Sequence, residues 1–277
     1  MTDQIWRAQT GRGPLIATAI HDGHDVRDDA ARHLALSDAE RLREEDPFTG
    51  EWAEIAPVHV IATRSRFEVD LNRPRDTAVY RRPEDAWGLT VWKGDPPVGM
   101  FERSLAEYDL FYDSMRTLLE EMSREHGRFV VFDLHSYNHR RQDPGGPEAD
   151  ASGNPQVNVG TGTMNRDLWG PAVDALIETL RGVEFPGGRL DVRENVKFRG
   201  GRWPQWIHEN FPHSGAAIAI EFKKFFMDEW TGVPNRAYIE GIKRALHAAG
   251  SAVLDVLESM QPTRAIAEHN DAHEEND

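Results

Sequence analysis

The chain contains no cysteine. That removes a disulfide framework, a thiolate zinc site and a cysteine nucleophile, so any metal must be held by His, Asp or Glu. Positive charge is scarce as well: 32 Lys and Arg stand against 47 Asp and Glu, a net charge of -15. Such a surface repels nucleic-acid backbones and anionic membranes and favours solubility. Apolar runs of membrane-spanning length are missing too, and the opening Met1-Thr2-Asp3-Gln4-Ile5-Trp6 has neither the basic nor the apolar region of a secretory signal. The expected partner is a small molecule, with no nucleic acid and no membrane, and the expected location is the cytoplasm.

What is present is an α/β pattern. With 277 residues, 39% of them hydrophobic, the chain can bury one full core. It reads as one domain over residues 1–262 and an acidic, disordered tail over 263–277 ending Glu274-Glu275-Asn276-Asp277. Short apolar runs bounded by polar or Gly/Pro segments predict strands at 15–20, 57–63, 129–134 and 216–222. Leu105, Tyr108, Leu110, Phe111, Met115, Leu118, Leu119 and Met122 track one face of a helix over 104–126, with Gly127 as its stop. Further amphipathic helices are expected at 171–181 and 236–258. A strand, a long helix and a strand in succession imply a parallel crossover. The Gly/Pro-rich segments 83–100 and 141–154 are too long for ordinary connections and are expected to be loops over a site.

The chemistry concentrates where the strands run out. Val130-Val131-Phe132-Asp133-Leu134-His135-Ser136 is an apolar run that delivers a histidine, and Leu15-Ile16-Ala17-Thr18-Ala19-Ile20 delivers His21-Asp22-Gly23-His24. The rim at strand ends is where α/β proteins place their sites. His21 and His24, separated by two residues in a glycine turn, can converge on one ion, with His135 as a further ligand from across the rim. After the second strand comes Ser65-Arg66-Phe67-Glu68-Val69-Asp70-Leu71-Asn72-Arg73. As an extended segment it would present Arg66, Asn72 and Arg73 to an anion, since guanidinium forks bind carboxylates bidentately. Ala217-Ile218-Ala219-Ile220-Glu221-Phe222 holds one carboxylate in an apolar strand, which must be paired, with Lys223 or Lys224 for instance, or belong to a site. Beside a metal, Glu221 would be a general base. His59 and His126 are expected to be structural.

Taken in order, these elements resemble the N-formylglutamate amidohydrolases. The resemblance is carried by His21, the acidic segment Glu45-Asp46, the Ser-Arg-aromatic-x-x-Asp-Leu-Asn-Arg run at 65–73, Asp133-Leu134-His135-Ser136, Asn158-Val159-Gly160-Thr161, and Glu221 followed by Met227-Asp228-Glu229. It implies a three-layer αβα fold of the zinc-carboxypeptidase (phosphorylase/hydrolase-like) kind, with a mixed, largely parallel central sheet. It also implies one Zn2+ ion held by His21 and His135. The third ligand is either His24, from the His-x-x-Glu pattern of the related aspartoacylases, or Asp46, with Glu45 behind them. Arg66, Asn72 and Arg73 match the positions that grip the substrate carboxylate, and Glu221 matches the general base.

One segment departs from the family pattern. Where those proteins carry Phe-Lys-Gly-Gly-Tyr, this chain has Phe198-Arg199-Gly200-Gly201-Arg202-Trp203. Nearby Trp203, Trp206 and Phe211 are candidates for an apolar pocket wall or for core. The implied activity is zinc-dependent hydrolysis of an N-formyl or other N-acyl amino acid. The alternatives are a metallocarboxypeptidase-like peptidase using the same zinc and arginines, and a non-catalytic carboxylate-binding module.

Overall fold

The computed structural model describes residues 4–260, so the tail expected at 263–277 lies outside the described residues. Seven strands form one sheet in the order β1-β3-β2-β4-β7-β5-β6. They are β1 (Trp6–Gln9), β2 (Leu15–Ala19), β3 (Val58–Ala62), β4 (Phe129–Tyr137), β5 (Val157–Gly160), β6 (Val192–Glu194) and β7 (Gly215–Lys223). The middle four, β3, β2, β4 and β7, are mutually parallel. The flanking β1 and β5 run antiparallel to their inner neighbours, and β6 runs parallel to β5. The sheet is therefore mixed with a parallel centre, in the α/β class the sequence implied.

Alternation along the strands explains the layers, because successive side chains point to opposite faces. Leu15, Ala17, Val130, Phe132, Ile218 and Ile220 share one apolar cluster with α5 (Arg166–Gly182) and α7 (Arg236–Met260). Ile16, Val58, Val60, Phe129, Val131 and Ala217 share the other with α4 (Val98–His126) and α6 (Arg202–Asn210). Trp203, Trp206 and Phe211 are buried in this second cluster, so they are core and not pocket wall. Three short helices, α1 (Asp28–Ala31), α2 (Asp38–Glu44) and α3 (Thr49–Ala53), fill the long β2–β3 connection.

Several boundaries differ from expectation. α4 begins at Val98, six residues before the predicted start, because Met100 and Phe101 extend its apolar stripe into a third cluster with Phe67, Tyr80 and Trp92. α5 begins at Arg166 and carries Pro171 inside it. The expected start is residue 171, but the cap is Asn165, whose side chain accepts from the Leu168 amide. Most consequentially, β4 runs on to Tyr137, so His135 lies within a strand and not beyond its end. β4 and β7 are each nine residues long, while β2 and β3 have five. The C-terminal half of β4 runs past the end of β2 while β7 and then β5 continue beside it on the other side, and that step is the floor of the site.

Candidate metal centre and anion cleft

Four polar side chains lie on the α4/α6 face of the sheet by strand register. Thr18 pairs with Asp133, and His135 sits directly beside Glu221. β2 stops short of His135, and the space beside it is taken by His21, which leaves the end of β2 and brings its ring to 4.9 Å from that of His135. The turn that follows must pass tightly against β3: a Cβ on Gly23 would meet the Thr63 carbonyl carbon at 2.4 Å. Asp25 then donates its amide to the Thr63 carbonyl, at 3.0 Å.

The third member, Asp46, comes from just beyond α2. A capping box between Ser37 and Glu40 starts this helix, and it ends at Glu44. The Asp46 amide donates to the His21 carbonyl at 2.9 Å, tying the end of α2 to the end of β2. Lys224 completes the tie from β7, donating to the Arg43 carbonyl at 2.6 Å and the Glu45 carbonyl at 2.7 Å. A lysine on the last carbonyls of a helix satisfies groups that have no partner within it. Burial pushes the Lys224 ammonium down to about 8.

The result is a buried group of His21, Asp46 and His135 that could hold a metal ion, with one donor atom of each within 4.8 Å of the others. Asp46 Oδ2 lies 3.3 Å from His21 Nδ1 and 3.0 Å from His135 Nδ1. The far nitrogens are occupied: His21 Nε2 faces Asp70 Oδ1 at 2.7 Å, and His135 Nε2 faces Asp133 Oδ2 at 2.9 Å. Each imidazole thus turns Nδ1 inward. His21 Nδ1 is buried without a hydrogen-bond partner, which fits a donor kept for an ion. A carboxylate behind each ligating histidine is the usual outer support of such centres.

Burial pushes the Asp46 carboxyl up, but hydrogen bonds from His135 and His21 outweigh it and hold the group well below the usual carboxylate range. Burial disfavours a charged His135, yet Asp133 and Glu221 raise it well above the ordinary histidine value. Glu221 is pushed up to about 7, chiefly by burial, with His135 opposing. Its neighbours Lys223 and Lys224 face elsewhere, Lys223 toward Glu148 and Lys224 toward the α2 carbonyls. Glu221 instead lines a cleft of about 270 Å³ whose walls also carry Arg66, Asn72 and Arg73.

His24 does not join the group. Its Nδ1 lies 2.5 Å from Glu45 Oε2, and Glu45 also accepts from Ser65 and Arg41. Both are thereby drawn into a separate cluster under α2. The segment 65–73 is not extended either. It is a run of turns in which the Ser65 carbonyl accepts from the Glu68 and Val69 amides, so Arg66 reaches Asp70 four residues on, at 2.8 Å. The turned form wins because Asp70, fully buried, collects Arg66, His21, the Asn72 amide at 2.8 Å and the Tyr80 hydroxyl. Arg73 is freer: its side chain is 38% exposed, and its distance to Asp70 is 3.9 Å. Asn72 is partly committed, since its Oδ1 accepts from the Trp203 amide at 2.9 Å. The 198–201 turn packs so closely there that a Cβ on Gly201 would meet Asn72 Oδ1 at 2.4 Å.

The remaining motif residues fasten loops. Asn158 accepts from the Lys197 and Phe198 amides and donates to the Phe198 carbonyl. Glu229 accepts from the His139 and Arg140 amides. Of the two histidines expected to be structural, His59 contacts the Ala56 carbonyl through Nδ1 at 2.9 Å. Sequence reasoning gave no role to Asp70, Asp133 or, beyond a possible ion pair, Lys224, and none to Trp87 and Arg199, which line the cleft. For the two aspartates a signal existed, since each is an acid inside an apolar run within a recognised motif. For Lys224 and Trp87 there was none.

The family model described as N-formylglutamate amidohydrolase matches residues 13–227. The structure is similar to that of an N-formylglutamate amidohydrolase from Ralstonia eutropha, with TM-score 0.70, 17% identity, and coverage of 93% of this chain and 98% of the other. It is also similar to a gene product from Agrobacterium tumefaciens, with TM-score 0.65, 18% identity, and coverage of 93% and 97%. None of the curated proteins compared matches the chain.

Proposed function

This chain belongs to the N-formylglutamate amidohydrolase family, hydrolases of amide bonds, and from that membership we propose that it is a zinc-dependent enzyme that removes a formyl or other acyl group from the nitrogen of an amino acid. The observation that carries the reading is the convergence of His21 Nδ1, His135 Nδ1 and Asp46 at the base of a cleft walled by Glu221, Arg66 and Arg73. His21, Asp46 and His135 would hold the ion, a nitrogen and oxygen donor set suited to zinc. When bound, the ion polarises the scissile carbonyl and makes water acidic enough to attack at neutral pH.

The chain's own residues supply the rest. Asp70 and Asp133 fix the tautomer and direction of the two imidazoles by engaging their Nε2 atoms. Glu221, which lines the cleft directly beside His135, can take a proton from the attacking water and return it to the leaving amine within one cycle. Arg73 grips the substrate carboxylate with its free donors, and Arg66 contributes those not already spent on Asp70, Tyr80 and the Glu44 carbonyl. Asn72, with Oδ1 tied to the Trp203 amide, offers its Nδ2 protons to a second oxygen. A cleft of about 270 Å³ suits a single acylated amino acid better than a peptide.

The test is direct. Protein loaded with one equivalent of zinc is given N-formyl-L-glutamate and a panel of N-formyl and N-acetyl amino acids, and the released amine is measured. Release of the amine, abolished by chelation and restored by zinc, supports the proposal. No hydrolysis above the blank by protein carrying stoichiometric metal overturns it.

A further inference from the structure

The turn at residues 83–88 stands over both arginines of the cleft. Its last helical residue hands on to Trp87, which has φ of +54°, in the left-handed region that a bulky side chain rarely adopts. The turn is firmly built all the same. The Gly88 amide donates to the Pro83 carbonyl at 2.7 Å, and the Asp85 carboxylate accepts from the Arg81 and Arg82 amides. Strain that is held in place by its surroundings is characteristic of functional positions.

What the unusual backbone does is aim the indole. The Arg66 guanidinium carbon lies 4.9 Å from the centroid of the Trp87 ring, and the Tyr80 ring meets it edge-on at 5.9 Å. The same turn offers its Asp85 carbonyl to Arg73 Nη2 at 3.5 Å. Trp87 nevertheless joins none of the apolar clusters among the described residues and remains 45% exposed while lining the cleft. A large apolar side chain kept half in water, at a strained position, has no account in core packing.

We propose that Trp87 is a positioning residue for the substrate carboxylate, roofing Arg66 so that its guanidinium stays directed into the cleft and shielded from water. The inference rests on the assignment of Arg66 to the carboxylate grip. A cation held on an aromatic face keeps its orientation, and a charge pair removed from water is stronger and less screened by salt. Trp87 acts through Arg66 and touches no reacting atom, so it governs affinity and not the chemical step.

Trp87→Gly and Trp87→Phe separate this role from a structural one. Glycine adopts the turn without strain and, of core contacts, gives up only the edge contact with Tyr80, so the melting temperature of Trp87→Gly should stay within a few degrees of the wild-type value. Its affinity for glutamate, used as a carboxylate probe in calorimetry on the zinc-loaded protein, should fall about tenfold and become more sensitive to salt. With N-formyl-L-glutamate as substrate, KM should rise by a similar factor while kcat changes little, and Trp87→Phe should recover much of the affinity. Unchanged affinity and salt dependence in Trp87→Gly overturn the proposal. So does a fall in kcat with KM intact, or a wild-type protein that binds neither glutamate nor glutarate. A wild type that binds glutamate but hydrolyses no N-acyl amino acid removes the proposed activity alone, and the binding comparison still decides the role of Trp87.

Discussion

His21, just past the end of β2, and His135, within β4, present the same nitrogen to the same oxygen, Nδ1 at 3.3 Å and 3.0 Å from Asp46 Oδ2. Behind them, Asp70 and Asp133 engage the two Nε2 atoms. The symmetry has a simple cause. Both carboxylates are fully buried, and a buried carboxylate needs a partner, which each imidazole supplies through the nitrogen turned away from Asp46.

The outer carboxylates should therefore matter for metal and not only for shape. Asp133→Asn is expected to weaken zinc binding by about 10–100-fold, because the amide no longer enforces the tautomer that frees Nδ1. Competition with a chromogenic chelator measures it. Wild-type affinity in this variant would mean that Thr18, which donates to Asp133 Oδ1 at 3.0 Å, is its main purpose.

Asp46 and His24 make a discriminating pair. Asp46→Ala should lose stoichiometric metal at neutral pH, whereas His24→Ala should keep it, since His24 is engaged with Glu45. Metal analysis of the dialysed variants decides the matter, and the reverse pattern would return His24 to the ligand set.

Glu221→Gln preserves size and cannot carry the proton. Turnover should drop by roughly 10²–10⁴-fold with metal still bound. Loss of metal in this variant would recast Glu221 as a ligand, and near-normal turnover would exclude it from proton transfer.

Arg73→Lys replaces a fork by a point charge at the more open of the two arginines. The expected outcome is weaker substrate binding by about 2 kcal/mol with kcat largely kept, read from steady-state kinetics. An amide analogue of the substrate that is hydrolysed as well as the acid would contradict the grip.

His208 makes stability depend on pH. Its Nε2 accepts from the Ala217 amide at 3.0 Å, and burial pushes the imidazole down to about 4. Between about 6.5 and 4 the unfolded chain binds a proton that the folded protein refuses, so stability is lost as pH falls through that window. The loss should be on the order of 1–3 kcal/mol. Melting temperatures of wild type and His208→Gln across that range test it; parallel curves would show that other groups carry the acid sensitivity.

Much of this protein is written locally in its sequence. The apolar runs that became β2, β3, β4 and β7 are legible because buried parallel strands need no polar alternation, and they place His21, His135 and Glu221 near a sheet rim. The absence of cysteine by itself limits the metal donors to His, Asp and Glu.

Tertiary structure decided the matters that depend on distant parts meeting. The inclusion of Asp46 and not His24 in the buried group turns on where α2 ends against β2, and Lys224, far along the chain on the extension of β7, holds that end through two carbonyls. The turned form of 65–73 follows from the partners that gather on Asp70, from His21 to Tyr80, which no window of sequence contains. The placing of Trp87 over Arg66 depends on a left-handed residue that its type does not announce. Local pattern determines which faces are buried, because burial is set by periodicity, whereas the site is made of single side chains whose partners are chosen only when the layers close.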